Sequence, residues 1–219
     1  STLADKILEC LGSDLEWKSL CKAGVGLWLT DPGAIRKVLE ALPRSIIKKQ
    51  GKEIDPQAVA LWYALLGRRS ILAVLYKQQK QERIAEFLAN DLREEPYREK
   101  ARKNAFELVR QRRYELGCAF FILAGLAEEA IDVCVRYLDD WSLAAVIAQQ
   151  IQATMEDLAA TASEAFRRVL LADLVPQARK AHDPWLASLA YSRAGEHGAA
   201  MQCCSPPYLI PVLATDTEE

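Results

Sequence analysis

The chain has 219 residues, 51% hydrophobic and 26% charged, the balance of a folded domain and not of a disordered or fibrous chain. Lys and Arg number 28 against 30 Asp and Glu, a net charge of −2. A protein that binds nucleic acid by neutralising phosphates normally carries a basic excess, so that reading depends on a local patch.

No run of about 18 apolar residues is present, which excludes a membrane-spanning helix of the usual kind. The start, Ser1-Thr2-Leu3-Ala4-Asp5-Lys6, has no basic segment followed by an apolar one, so it does not read as a secretory signal. It also lacks an initiator Met and reads as a processed or excised piece. The six cysteines (Cys10, Cys21, Cys118, Cys134, Cys203, Cys204) contain no CxxC pair and read as buried free thiols in a reducing, cytosolic compartment.

Apolar residues recur every three to four positions and strict alternation is almost missing, which predicts helices throughout. In chain order the predicted helices are Thr2–Leu11, Asp14–Lys22, Asp31–Leu42, Pro56–Leu66, Arg69–Gln79, Gln81–Asn90, Pro96–Arg112, Tyr114–Ala124, Ala127–Leu138, Trp141–Gln152, Met155–Lys180 with a break near Pro176, Pro184–Ala194 and Glu196–Cys203. Three start at Asp-Pro pairs (Asp31-Pro32, Asp55-Pro56, Asp183-Pro184), where Asp accepts backbone N–H bonds and Pro at the next position loses none. Residues 205–219 read as a frayed or partly ordered tail.

An internal repeat is visible. Asp55-Pro56 leads to Gly67 as Asp183-Pro184 leads to Gly195, with Leu61 and Tyr63 matched by Leu189 and Tyr191. A third copy keeps the turn in Ala124-Gly125 and matches Ala130 and Cys134 to Ala200 and Cys204. Each copy reads as helix, glycine turn, helix, with Gly67, Gly125 and Gly195 in left-handed conformation. Such hairpins bury their apolar faces only by stacking. The expected fold is therefore all-α: an irregular α-solenoid of stacked antiparallel helical hairpins, forming one domain over residues 1–204.

Catalytic chemistry finds little material. His182 and His197 are the only histidines, and His182 reads as an exposed loop residue. Adjacent Cys203 and Cys204 point about 100° apart on a helix, which is poor for sharing one zinc ion. No GxSxG, HExxH or phosphate-binding loop occurs, and Gly24-Val25-Gly26 reads as a helix break. No catalytic, metal or cofactor residue is assigned. The richest charged run lies between Arg93 and Arg113. Within it Arg98, Arg102, Lys103, Arg110 and Arg113 form the candidate partner-binding set, while Ala101, Ala105, Phe106 and Val109 are expected to face inward. The five tryptophans, Trp17, Trp28, Trp62, Trp141 and Trp185, read as packing anchors between hairpins.

Several words of this sequence occur in a familiar order: Phe87-Leu88, Asn90-Asp91, Pro96-Tyr97-Arg98, Lys103-Asn104-Ala105-Phe106, Arg112-Arg113-Tyr114, Ala119-Phe120-Phe121-Ile122-Leu123-Ala124-Gly125, Ala130-Ile131-Asp132-Val133-Cys134 and Leu138-Asp139-Asp140. They resemble the C-terminal helical region of the large subunit of the RAVE complex and its animal relatives, the DmX-like proteins (rabconnectins). The resemblance runs from about residue 25 to 204, reaching Asp183-Pro184-Trp185-Leu186. The family's β-propellers have no counterpart here. The resemblance implies a non-enzymatic scaffold without cofactors that promotes assembly of the vacuolar proton-pumping ATPase, peripheral sector onto membrane sector. The partners it implies are V-ATPase peripheral-sector subunits and other RAVE subunits, with no nucleic acid and at most peripheral membrane association. Its implied location is the cytoplasm, with recruitment to vacuolar or endosomal membranes. Two alternatives stay open: a nucleic-acid or anionic-lipid binder using the basic 93–113 helix, and an enzyme whose site is scattered.

Overall fold

The computed structural model describes residues 3–12, 15–51 and 53–204. The tail expected at 205–219 lies outside the described residues. Among the described residues all regular structure is helical, as the periodicity predicts. The elements are α1 (Leu3–Leu11), α2 (Trp17–Lys22), α3 (Val25–Trp28), α4 (Pro32–Gln50), α5 (Pro56–Leu65), α6 (Arg69–Gln78), α7 (Glu82–Ala89), α8 (Tyr97–Arg110), α9 (Tyr114–Leu123), α10 (Ala127–Arg136), α11 (Trp141–Thr154), α12 (Glu156–Val169), a π-helical turn (Leu170–Leu174), α13 (Val175–Lys180), α14 (Pro184–Arg193) and α15 (His197–Cys203). Contacts divide the chain into two compact units, Ser1–Ser163 and Glu164–Glu219.

All three Asp-Pro starts behave as read. The carboxylates of Asp31, Asp55 and Asp183 accept from the backbone N–H of Ala34 (2.7 Å), Gln57 (3.0 Å) and Leu186 (2.9 Å). A fourth cap, Asp140, accepts from Leu143 N–H at 2.8 Å and starts α11. Satisfying such N-terminal donors stabilises a helix by about 1 kcal/mol.

The hairpin ends follow a stricter rule than the glycines alone reveal. Gly67, Gly125 and Gly195 have φ of 67°, 72° and 81°. Each is followed by a backbone N–H that reaches back five residues: Arg68 to Tyr63 (2.8 Å), Leu126 to Phe121 (2.8 Å) and Glu196 to Tyr191 (2.9 Å). This is the Schellman closure, which satisfies the last carbonyls of the helix. Lys80, Arg112 and His182 make the same closure at φ of 58°, 61° and 54°, without glycine. The six fall into three pairs, 67 and 80, 112 and 125, 182 and 195, each thirteen residues apart and bracketing α6, α9 and α14. His182 is exposed, as expected.

Two prolines are absorbed differently. The helix predicted to stop at Leu42 continues through buried Pro43 to Gln50 and ends at Gly51. Pro176 lacks an N–H and its ring crowds the carbonyl four residues earlier. The preceding turn widens to π geometry, with the Val175 N–H bonded to the Leu170 carbonyl, so the predicted break is a bulge and not a gap.

In the first unit, α5 pairs with α4 and α6, α9 pairs with α8 and α10, and α5 lies against α9. Buried residues run almost continuously along α5 (Val59 to Leu65) and α9 (Leu116 to Ile122), the signature of helices covered on every side. Helix α11 contacts α10, α5, α4 and α3 and is buried from Ser142 to Ala148. Trp62 is 4% exposed, with its ring centroid 5.4 Å from that of Trp17. The tryptophan reading fails elsewhere: Trp28 is 44% exposed and bonds the Ala23 carbonyl, and Trp185 is 70% exposed. Cys118, Cys134 and Cys203 are buried free thiols, but Cys10 and Cys204 are exposed.

The N-terminal segment is fastened to α11 by polar contacts. Trp17 Nε1 donates to Asp140 Oδ2 at 2.6 Å and Cys21 Sγ lies 3.4 Å from Asp140 Oδ1. The Gly26 N–H donates to Ser142 Oγ (2.9 Å), and Gln149 Nε2 donates to the Gly26 carbonyl (3.1 Å). The expected helix break at 24–26 is in fact a left-handed N-cap at Gly24 followed by a one-turn helix whose Gly26 touches α11. A Cβ on Gly26 would strike the Ser142 carbonyl and sit 2.6 Å from its Oγ.

Gly26→Ala therefore forces α3 away from α11. Overpacking of this kind costs about 1–3 kcal/mol, read as a fall in Tm of roughly 3–10 °C, while Gly198→Ala, where a Cβ meets nothing within 4 Å, stays within about 1 °C. Gly125→Val places a β-branched residue at φ 72° and costs more than ~1 kcal/mol by thermal or urea melting.

Candidate interaction surface

Helix α8 starts after Pro96, packs on α9 and buries Ala101 and Ala105, as its pattern predicts. Phe106 does not turn inward. It is 49% exposed, edge-on to Phe121 with centroids 5.0 Å apart, and the Arg102 guanidinium lies 5.8 Å from its ring centroid. The pattern placed it inside because 101, 105 and 106 share a helical side. Phe121 occupies that space and leaves Phe106 at the rim.

The basic side chains of this region are tied to their own fold. Arg102 grips Glu99 through two bonds (2.8 and 3.2 Å), and Lys103 Nζ lies 3.5 Å from the same carboxylate. Arg110 grips Glu107 through two bonds (2.7 and 2.6 Å). Hydrogen bonds from Arg110 and then Gln111 hold the Glu107 carboxyl down at about 2, and those from Arg102 lead in lowering Glu99. Arg98 Nε donates to the Ala124 carbonyl at 3.3 Å, where a cation suits the negative end of α9. Arg113 is the N-cap residue of α9 and its guanidinium bonds Gln57 of α5. Arg93 pairs with Asp157.

The five candidate residues are thus not brought together as one patch. Arg98 and Arg102 lie about 40° apart around α8, Lys103 and Arg110 about 20° apart on a strip roughly 100° further round, and Arg113 belongs to the next helix. Lys103 and Arg110 are the most open, with side chains 72% and 76% exposed.

Several concavities adjoin this region, one of them lined by Arg93, Arg98, Ala124 and Gly125. Another of about 370 Å³ runs between the start of α5 (Gln57, Ala58) and the start of α9 (Arg113, Tyr114, Glu115), with Leu138. A larger groove of about 630 Å³ has an apolar floor including Ala64, Ile122, Leu123 and Met155, with Arg69, Asp91 and Arg93 along it. Arg69 pairs with Asp91 at 3.3 Å. Sequence reading missed this groove, because it is made by the ends of helices far apart in the chain. The left-handed turn at Gly67 and the Asn90-Asp91 stop were its only local signals.

Among the described residues the buried ionisable groups include thiols and the phenol of Tyr76, which burial pushes up to about 12. Cys118 and Cys134 lie 3.6 Å apart between α9 and α10, and burial pushes the Cys134 thiol well up. Partial burial, with Asp140 alongside, pushes Cys21 up to about 11. Among the described residues no group of three or more His, Cys, Asp and Glu is placed to hold a metal ion. No helix among them is long and apolar enough to cross a membrane.

Comparison with known proteins matches residues 1–212 to the family model described as "RAVE protein 1 C terminal". Human DmX-like protein 1 is 31% identical over 195 residues, covering 86% of this chain and 6% of the relative. The protein named "Regulator of V-ATPase in vacuolar membrane protein 1" is 25% identical over 179 residues in Saccharomyces cerevisiae, covering 80% of this chain and 12% of that protein. Its Schizosaccharomyces pombe namesake is 24% identical over 225 residues, covering all of this chain and 16% of the relative. The chain therefore spans a small fraction of the relatives it matches. An all-helical repeat whose sequence fits the family model along nearly its whole length belongs to the RAVE protein 1 C-terminal family.

Proposed function

We propose that this chain is a non-catalytic helical module through which a regulator of the vacuolar proton-pumping ATPase engages protein partners, promoting assembly of the peripheral sector onto the membrane sector. The family match over residues 1–212 carries this reading. The printed name of the fungal relatives, a regulator of V-ATPase in the vacuolar membrane, supplies the pump. The stacked, close-packed helices support it physically, since they hold a fixed surface without ordering costs on binding. The partners are peripheral-sector subunits and other RAVE subunits, and the location is cytoplasmic with recruitment to the vacuolar or endosomal surface.

Lys103 and Arg110, with Arg102, are the partner-facing members of the basic set, whereas Arg98 and Arg113 serve the fold. The internal pairing of Arg102, Lys103 and Arg110 weighs against a phosphate-binding surface, because each phosphate contact would have to displace a carboxylate.

The experiment is a pull-down with the triple variant Arg102→Glu, Lys103→Glu, Arg110→Glu, beside Arg98→Ala. The triple variant is expected to capture several-fold less peripheral-sector subunit while still unfolding cooperatively, its Tm lower by a few degrees because three exposed ion pairs are lost. Capture equal to the parent's overturns the assignment of this strip. Arg98→Ala is expected to lose about 0.5–1 kcal/mol of stability, read as roughly 2–4 °C, through the freed Ala124 carbonyl.

A further inference from the structure

From Arg93 to Arg113 the chain carries six arginines, and four are engaged by their own fold. Arg93 pairs with Asp157, Arg102 with Glu99 and Arg110 with Glu107, and Arg98 bonds the Ala124 carbonyl. Arg112 and Arg113 differ: both are exposed, and among the described residues neither forms an ion pair. The Arg113 guanidinium bonds the neutral amide of Gln57, which fixes its position without balancing its charge. Both arginines line the concavity of about 370 Å³ between the starts of α5 and α9, together with Ala58, Tyr114, Leu116 and Leu138. One carboxylate, Glu115, lines it as well and pairs with neither arginine. Two others close by, Asp55 and Asp140, are committed as the caps of α5 and α11. Tyr137, 54% exposed, stacks on Tyr114 with ring centroids 5.3 Å apart, so an aromatic pair extends the apolar lining to the surface.

We propose that this concavity docks an acidic protein segment, with a Glu or Asp side chain against Arg112 and Arg113 and a neighbouring large apolar side chain against Leu138 and the Tyr114–Tyr137 pair. Charge complementarity carries the choice of occupant. A carboxylate arriving at Arg110 trades one exposed ion pair for another. At Arg112 and Arg113 it displaces no carboxylate, so the charge-assisted hydrogen bonds are a gain. Arginine and tyrosine are also the residue types that dominate the energetics of protein interfaces. The volume lies at the small end of the range for compact ligand sites, which suits a short segment and not the face of a domain. A nucleic acid would need a row of cations to follow its phosphates, and two guanidiniums bordered by Glu115 do not supply one. The surface is a different one from the strip of Arg102, Lys103 and Arg110, and the proposal does not depend on the pump reading.

A random peptide library displayed on phage, selected against the full chain and against Arg112→Glu, tests it. The Arg112 side chain makes no bond within the fold, so this substitution is expected to move Tm by no more than about 2 °C. Peptides enriched on the parent and lost on Arg112→Glu are expected to carry Glu or Asp beside Leu, Phe, Tyr or Trp. The strongest of them, labelled with fluorescein, is expected to bind Arg112→Glu and Tyr137→Ala about tenfold more weakly. Changing its own acids to amides is expected to cost as much. Lys100→Glu makes the same charge change near the opposite end of α9, where Arg98 meets Ala124, and is expected to stay within about twofold of the parent. Selections that enrich nothing, or the same peptides on both proteins, overturn the proposal. Lost peptides without acids overturn it too, as does an equal loss in Lys100→Glu. Single-stranded RNA that binds the parent but not Arg112→Glu, where acidic peptides bind neither, gives the site to nucleic acid instead. If Tyr137→Ala does not fold, Arg112→Glu decides by the same criteria.

Discussion

The first turn of α11 is where residues more than a hundred positions apart are joined. Asp140 caps its own helix while accepting from Trp17, and Ser142 receives the backbone of Gly26. Gln149 and Gln150, further along the helix, hold the Gly26 and Leu65 carbonyls, the latter at 3.3 Å and fully inside. Gln150 is only 2% exposed, so its amide has no recourse to water. A helix buried on most of its faces gains apolar burial without orientation. These few polar bonds supply the orientation, because a slip of one residue would leave buried donors and acceptors unpaired at 1–3 kcal/mol each. The absence of a side chain at Gly26 lets two backbones meet closely enough for the bonds to form.

The second constraint is length. Helices α5, α6, α9, α10 and α14 are all ten residues long, about 15 Å. In α6, α9 and α14 the thirteen-residue spacing between left-handed closures sets this: ten helical residues plus three to end one helix and start the next. Equal lengths let neighbouring hairpins present matched faces. Three closures use Lys80, Arg112 and His182 at a backbone cost that glycine avoids, roughly 1–2 kcal/mol apiece. That cost is offset by the reach-back hydrogen bonds and the packing they permit. The repeat is thus written in geometry more regularly than in residue identity.

That difference explains what the sequence disclosed. Helix starts were legible because the Asp-Pro cap is a local device needing no tertiary partner. The all-α hairpin architecture was legible because a strongly periodic apolar pattern has few other solutions. The closures at Lys80, Arg112 and His182 were not, since nothing about these residues favours φ > 0 and only the surrounding packing imposes it. Pro43 inside α4 and the bulge before Pro176 depend likewise on what buries the helix on either side. The basic run was visible as composition. Composition does not say that Glu99 and Glu107 would each take a bidentate arginine, nor that Arg98 and Arg113 would reach backward into the fold. Phe106 and Trp185 were misplaced for one reason: periodicity identifies an apolar face, not whether a neighbour arrives to cover it.

The pairing of these charges bears on how such a surface recognises anything. A partner carboxylate that approaches Lys103 or Arg110 must replace Glu99 or Glu107 at an exposed site. Exchanging one exposed ion pair for another is close to neutral, with each pair contributing at most about 1 kcal/mol. Charges arranged this way govern register and the exclusion of wrong partners more than affinity. Affinity must then come from apolar area, and the structure offers some in the half-open ring of Phe106 and in the half-buried Leu123 and Met155 of the groove. The same helices that make the repeat rigid therefore decide which small apolar areas are left uncovered.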